Sequence, residues 1–267
     1  MLVLTAVPTA LEKRLASCVG EPFELVSFHG WQDVVQGILR EPVELAVLDP
    51  ALEASPRAHE VERLRVLFPS LPIILYTRLT PEMAPVLLRL GQAGISQVVL
   101  AWYDDHPQHL RDVLYAEYAQ SVSQRLLAEM RDILQPWPQK LRWAIETMVR
   151  EPASIQSVQA LADRARMDRR TCLRWFARAG LPKPSEMLMV LRVLYAHRLL
   201  QDPGYTVEDV AAKLGYAQTR SFGLNVREVF GMTPGDLRVR LSPEEGLAIV
   251  RQRYLQGGVR RDASATG

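Results

Sequence analysis

The sequence predicts an α/β plus all-α chain. It reads as a five-stranded (βα)5 domain over residues 1–105, a long linker or dimerisation helix over 106–138, a tandem helix-turn-helix all-helical domain over 139–240, and a tail over 241–267. Three observations carry this. Short apolar runs alternate with helix-length segments as far as residue 103, an amphipathic period runs unbroken from His106 to Leu134, and two helix-turn-helix patterns follow at 155–179 and 206–231. With 267 residues, 48% apolar and 23% charged, the chain has ordinary globular composition and length for two domains.

In the first domain, strands are expected at Leu2–Leu4, Phe23–Val26, Val43–Leu48, Pro72–Tyr76 and Ser96–Leu100. Helices are expected over 8–18, Trp31–Leu39, Val61–Phe68 and Pro81–Gly91. Strands separated by helices of this length need crossover connections, hence a parallel sheet covered on both faces. The order expected is flavodoxin-like, with any site at the carboxyl ends of the strands.

From His106 to Leu134 there is no glycine. Leu110, Leu114, Tyr118, Val122, Leu126, Met130 and Leu134 recur at a spacing that predicts one amphipathic helix, stopped by Pro136-Trp137-Pro138. It is read as a connector or dimerisation element, with packing on its own first domain equally open. The tail ends in Gly257-Gly258 and Ala263-Ser264-Ala265-Thr266-Gly267, a composition expected to fray.

In the first helix-turn-helix pattern, Val158–Arg166 forms a helix with Leu161 and Ala162 inward, Met167 turns, and Asp168 caps a second helix, Arg169–Ala179. Arg169, Arg170 and Arg174 share one side of that helix, with Cys172, Trp175 and Phe176 opposite. Arginines so placed can grip phosphate or read guanine through the forked guanidinium. In the second pattern, Thr206 caps a helix and Asp209 reaches back, with Val210, Ala211 and Leu214 inward. Gly215 supplies the turn, and a further helix presents Gln218, Thr219, Arg220, Ser221 and Arg227. Pro184-Ser185 opens the connecting helix, Met187, Leu188, Leu191, Leu194, Tyr195, Leu199 and Leu200 form its apolar side, and Asp202-Pro203-Gly204 ends it.

Val210-Ala211, Leu214-Gly215-Tyr216, Phe222, Phe230-Gly231 and Thr233-Pro234 together resemble the DNA-binding domain of the AraC/XylS transcription regulators, over about residues 140–240. The resemblance implies recognition helices at Arg169–Arg178 and Gln218–Val229, entering successive major grooves of promoter DNA. Thr171 and Arg178 join the implied contacts. The second helix departs from the family pattern at Leu224 and Val226, and Gly223 and Asn225 dilute its helix propensity and aromatic packing, so it reads as a phosphate-contacting clamp.

The first domain resembles a response-regulator receiver by order of elements. Asp49, after Leu45-Ala46-Val47-Leu48, stands where such domains are phosphorylated, and Thr77, after Ile73-Ile74-Leu75-Tyr76, where the switching hydroxyl lies. Thr5 and Ala6 replace the acidic pair that would hold a divalent metal, and Ala101 stands where a lysine is expected. Asp49 is therefore read as a strand-end or capping residue, in a pseudo-receiver serving dimerisation or partner contact.

Charge supports the division. Residues 1–138 hold 11 basic and 17 acidic side chains, a net of −6, whereas 139–240 hold 17 and 10, a net of +7. A basic half beside an acidic one fits a nucleic-acid module attached to a non-binding one. Cys18 and Cys172 are in no metal-ligating spacing and read as buried thiols. Asp104-Asp105-His106 with His109 could approach a metal, but a solvated helix start is the preferred reading. No catalytic grouping, phosphate loop or cofactor motif is found, so neither an enzyme nor a cofactor or metal is expected. With no apolar run long enough to span a bilayer, the expectation is a cytoplasmic, non-membrane, homodimeric regulator contacting RNA polymerase, with any small effector left open. Two alternatives remain open: a phosphorylation-controlled response regulator, and an interaction protein with degenerate helix-turn-helix units.

Overall fold

The computed structural model describes residues 1–53 and 55–255. Its chain divides into a unit of residues 1–124 with 202–205, and a second of 125–201 with the residues from 206 onward.

The first unit alternates β1 (Leu2–Ala6), α1 (Thr9–Cys18), β2 (Glu24–Ser27), α2 (Trp31–Arg40), β3 (Leu45–Leu48), α3 (Ala58–Leu67), β4 (Ile73–Thr77), α4 (Met83–Gln92), β5 (Gln97–Leu100) and α5 (Pro107–Tyr118). All four strand pairings are parallel, in the order β2-β1-β3-β4-β5, the flavodoxin-like arrangement expected from the sequence. The central strands are buried on both faces: every residue of β3 and β4 is covered. One face packs Val3, Leu45, Ile74 and Val99 against Leu11 and Leu15 of α1 and Leu110 and Leu114 of α5. Parallel strands align their carboxyl ends, so the residues following β1, β3, β4 and β5 come together along one rim.

The expected continuous helix from 106 to 134 is instead three helices: α5, α6 (Val122–Glu129) and α7 (Arg131–Leu134). The apolar period continues through Tyr118 and Val122, but a turn at 119–121 interrupts the backbone. There Ser121 and Ser123 are both fully buried, with their hydroxyls hydrogen-bonded to each other at 3.2 Å. Serine hydroxyls offer the backbone local alternatives to helix, and α5 is drawn onto the first unit by its own apolar face.

The second unit continues with α8 (Gln139–Arg150), α9 (Val158–Arg164), α10 (Arg169–Arg178), α11 (Pro184–Leu200), α12 (Val207–Lys213), α13 (Thr219–Phe230), α14 (Pro234–Arg240) and α15 (Pro243–Val250), then a π-helical turn at Arg251–Leu255. α11 is its axis. All seven apolar residues expected to face inward are buried, and so are Val190, Val193, Ala196 and His197, so the helix is enclosed on nearly every side. The segment following residue 240 does not simply fray. Ser242 caps α15 in a capping box with Glu245, and Val250 and Leu255 are buried. Residues 256–267, where the glycine-rich end lies, fall outside the described residues. No helix among those described is long and apolar enough to cross a membrane.

Candidate nucleic-acid interface

Each helix-turn-helix unit is built from local rules the sequence carries openly. Ser157 Oγ accepts from Ala160 N at 3.0 Å and starts α9. Asp168 accepts from Thr171 N at 2.8 Å and starts α10, as expected. The Thr171 hydroxyl donates to the same carboxylate at 2.6 Å, and these bonds hold Asp168 below the usual carboxylate range. In the second unit Thr206 and Asp209 form the expected reciprocal capping box.

The two turns share one hydrogen-bond pattern. Arg166 N donates to Asp163 O at 3.1 Å and Met167 N to Ala162 O at 3.0 Å; Gly215 N donates to Ala212 O at 2.9 Å and Tyr216 N to Ala211 O at 3.0 Å. Both are Schellman closures, which need a left-handed residue after the helix, here Arg166 at φ 48° and Gly215 at φ 75°.

On α10, Arg170, Arg174 and Arg178 are exposed and four residues apart, so they line one stripe, with Arg169 exposed beside it. Thr171 is half-buried, its hydroxyl engaged by the cap, with Arg174 Nη2 3.5 Å away. Cys172 and Phe176 fill the opposite, buried side. Trp175, expected there with them, is only half-buried, because its position lies at the flank of the helix. Cys18, also expected buried, is likewise intermediate. On α13, Gln218 stands at the N-cap without a side-chain hydrogen bond to the helix, Thr219 is half-buried, and Arg220, Ser221 and Arg227 are exposed. Arg220 and Arg227 are two turns apart on one face. Leu224 lies between them at 57% exposure, and Leu173 on α10 is 40% exposed, so each arginine face carries an uncovered leucine.

The support beneath α13 was not visible in the sequence pattern. Val226 is fully buried, and the aromatic packing comes from the turn: Tyr216 meets the Phe222 ring at 5.2 Å and accepts from Asn225 Nδ2 at 3.1 Å. Arg192 of α11 lies over Tyr216 at 5.5 Å while donating to Pro152 O and Ile155 O, both at 2.9 Å, and so joins the two helix-turn-helix units through their turns and loops. Asn225 thus holds the turn in place, where sequence reasoning counted it only as a weak helix former.

In the first unit, Asp49 and Thr77 do meet at the rim. Thr77 Oγ1 and Ala51 N each donate to Asp49 Oδ1 at 2.8 Å. Burial pushes the Asp49 carboxyl up, while these two hydrogen bonds and the nearby Arg78 act against that. Thr5, at the end of β1, shares a hydrogen bond with Ser27 Oγ at 3.0 Å, and Ala6 and Ala101 are buried. Among the described residues no group of acids is placed around Asp49 to hold a divalent metal, so the residues present do not fit the ion that the receiver resemblance implies.

Asp105 corrects another expectation. It is 2% exposed, not a solvated helix-start residue, because Arg14 makes a two-pronged ion pair with it, Tyr76 OH donates at 2.8 Å and Trp102 N at 2.9 Å. Burial alone would raise its carboxyl, but these partners together hold it below the usual range. Its carboxylate is thus committed to Arg14, Tyr76 and Trp102. Among the described residues no group of three or more His, Cys, Asp or Glu side chains is placed to hold a metal.

Comparison with known proteins agrees with the geometry of the second unit. Residues 161–240 match the family model described as a helix-turn-helix domain. A Streptomyces lividans protein described as an AraC-like transcription regulator is 32% identical over 95 residues, which is 36% of this chain and 31% of that protein. The chain thus spans about a third of the length of that curated relative. Among solved structures, full-length FixJ from B. japonicum has a TM-score of 0.34 at 13% identity, covering 81% of this chain and 98% of that one. The xylose-binding transcription activator xylR has a TM-score of 0.34 at 14% identity, covering 89% and 69%. At these scores neither bears on the fold, which rests on the strand order and helix pattern described above.

Proposed function

We propose that the protein is a sequence-specific DNA-binding transcription regulator of the AraC/XylS type. The observation that carries this reading is the exposed arginine stripe on α10, held by a capped helix-turn-helix whose opposite side is locked into the core around α11. Arg169, Arg170, Arg174 and Arg178 read or grip one major groove, with Thr171 setting the start of the helix. Gln218, Thr219, Arg220, Ser221 and Arg227 clamp the next. In this reading 139–240 is the DNA-binding part, 1–105 a receiver-like domain for dimerisation or partner contact, and 106–138 the connection. The ligand is double-stranded promoter DNA and RNA polymerase the protein contacted. The protein acts as a cytoplasmic homodimer, without enzymatic activity.

A gel-shift series on the protein's own promoter region tests it. Replacing Arg169, Arg170 and Arg174 together with alanine is expected to abolish specific binding, since each good guanidinium–base pair contributes about 1–3 kcal/mol of discrimination. Unchanged affinity overturns the assignment. A flat response of the unmodified protein to any duplex at low salt supports the interaction-protein alternative instead.

The receiver-like domain is proposed to work without phosphorylation, because Asp49 lacks the acidic and lysine partners that phosphoryl transfer to a carboxylate requires. Incubation with Mg²⁺ and acetyl phosphate is expected to leave the mass unchanged. A gain of one phosphoryl group, lost in Asp49→Asn, would restore phosphorylation control.

A further inference from the structure

The two helix-turn-helix units solve the same backbone problem with different residues. Both turns close with the same pair of hydrogen bonds, and both need one residue in the left-handed region. The second unit uses Gly215, which has no Cβ to clash there. The first uses Arg166, at φ 48°. Left-handed backbone brings Cβ toward the following carbonyl oxygen, a penalty that asparagine and aspartate relieve by local hydrogen bonds and arginine does not.

The closing hydrogen bonds of the turn hold this backbone, but no side-chain contact of Arg166 among the described residues adds to them. The Arg166 side chain is exposed and makes no hydrogen bond or ion pair among the described residues. Its neighbour Arg164, by contrast, is committed to Glu151 at 2.6 Å. Arg166 precedes Arg169 and Arg170 by three and four residues, on the turn that leads into α10. A cation on that turn lies just outside α10, beside the exposed arginines that the DNA-binding reading places in the groove.

We propose that Arg166 is a further DNA-contacting residue that grips a backbone phosphate beside the groove occupied by α10. It keeps a strained backbone because the cation serves binding and not folding. This rests on the reading of the second unit as DNA-binding. A phosphate contact contributes affinity irrespective of sequence and adds one released counterion to the salt dependence.

The test uses the full chain, with Arg166→Gly, which removes both cation and strain, and Arg166→Lys, which keeps both. Unfolding in urea is measured beside affinity for a fragment of the protein's own promoter region and for an unrelated duplex across a salt series. Arg166→Gly is expected to unfold at higher urea while binding both duplexes several-fold more weakly, its log Kd against log salt slope reduced by about one. Arg166→Lys is expected to keep most of the affinity. Equal affinity and slope for Arg166→Gly overturn the proposal, and a loss confined to the promoter fragment overturns the phosphate assignment in favour of base reading. Failure of the unmodified protein to bind either duplex instead overturns the DNA-binding reading, and this inference falls with it.

Discussion

Asp49 and Gly223 show how much a single position says before and after its neighbours are known. Asp49 was legible as a strand-end acid because β3 ends in an unbroken apolar run, and the missing acids at Thr5 and Ala6 were equally plain. Its partner at 2.8 Å, Thr77, followed from parallel alignment of β3 and β4. Asp105 was not legible in the same way: the residue that holds it, Arg14, lies 91 positions away, and no local period links them. Gly223 reads as a defect in the second recognition helix, yet α13 runs through it from Thr219 to Phe230. A Cβ built there meets nothing within 4 Å. Gly223→Ala is therefore expected to stabilise the second unit by about 1 kcal/mol, the helix-propensity difference, seen as a rise in the urea midpoint without a change in slope.

At the scale of elements, what the sequence reveals is what local chemistry decides. Caps at Asp168 and Thr206, the closing prolines and the order of the strands all follow from residues close together in the chain. The division of the segment 106–134 into α5, α6 and α7 does not. A four-residue apolar spacing is satisfied equally by one helix and by three in sequence, and burial of Ser121 and Ser123 selects the second. The element following residue 240 carries a local signal, the Ser242–Glu245 capping box before Leu247-Ala248-Ile249-Val250, but its place in the core depends on one close approach. A Cβ at Gly246 would lie 2.4 Å from His197 Nδ1 and 2.7 Å from its Cε1, and His197 is fully buried, with little room to move. Gly246→Ala is accordingly expected to destabilise the second unit by about 1–3 kcal/mol, the usual range for overpacking, with thermal unfolding as the measurement. An unchanged midpoint would mean that α15 contributes little to that core.

For the molecule as a whole, the two units are expected to answer acid differently. Burial holds the His197 imidazole below its ordinary value, with the Arg198 charge adding to this, while the hydrogen bond to Leu241 O and the Glu244 charge oppose it. A histidine whose folded pKa is depressed is neutral in the folded chain and takes up a proton more readily on unfolding. Its contribution is therefore complete above the unfolded value of about 6.5 and is lost as pH falls below it. Paired carboxylates such as Asp236 and Asp168 lie below the usual range and titrate lower still. Between pH 7 and 5, hydrogen exchange read over peptides of each unit is expected to show the second unit losing protection through this group. His197→Gln should flatten that response, and a slope unchanged in the variant would remove His197 as its source.

The matched turns at Arg166 and Gly215 have a consequence for how this chain can be altered. The same backbone closure is made twice, but the two copies are not interchangeable: a Cβ at Gly215 would lie 2.2 Å from Gln156 Nε2 and 3.2 Å from Ala153 O, so a glycine can be moved into the first turn while an arginine moved into the second meets a clash. From the left-handed residue to the helix cap there are two steps in the first copy, Arg166 to Asp168, and three in the second, Gly215 to Gln218. The copies are thus one design in two lengths, and turn length and turn chemistry can be varied separately within a single molecule.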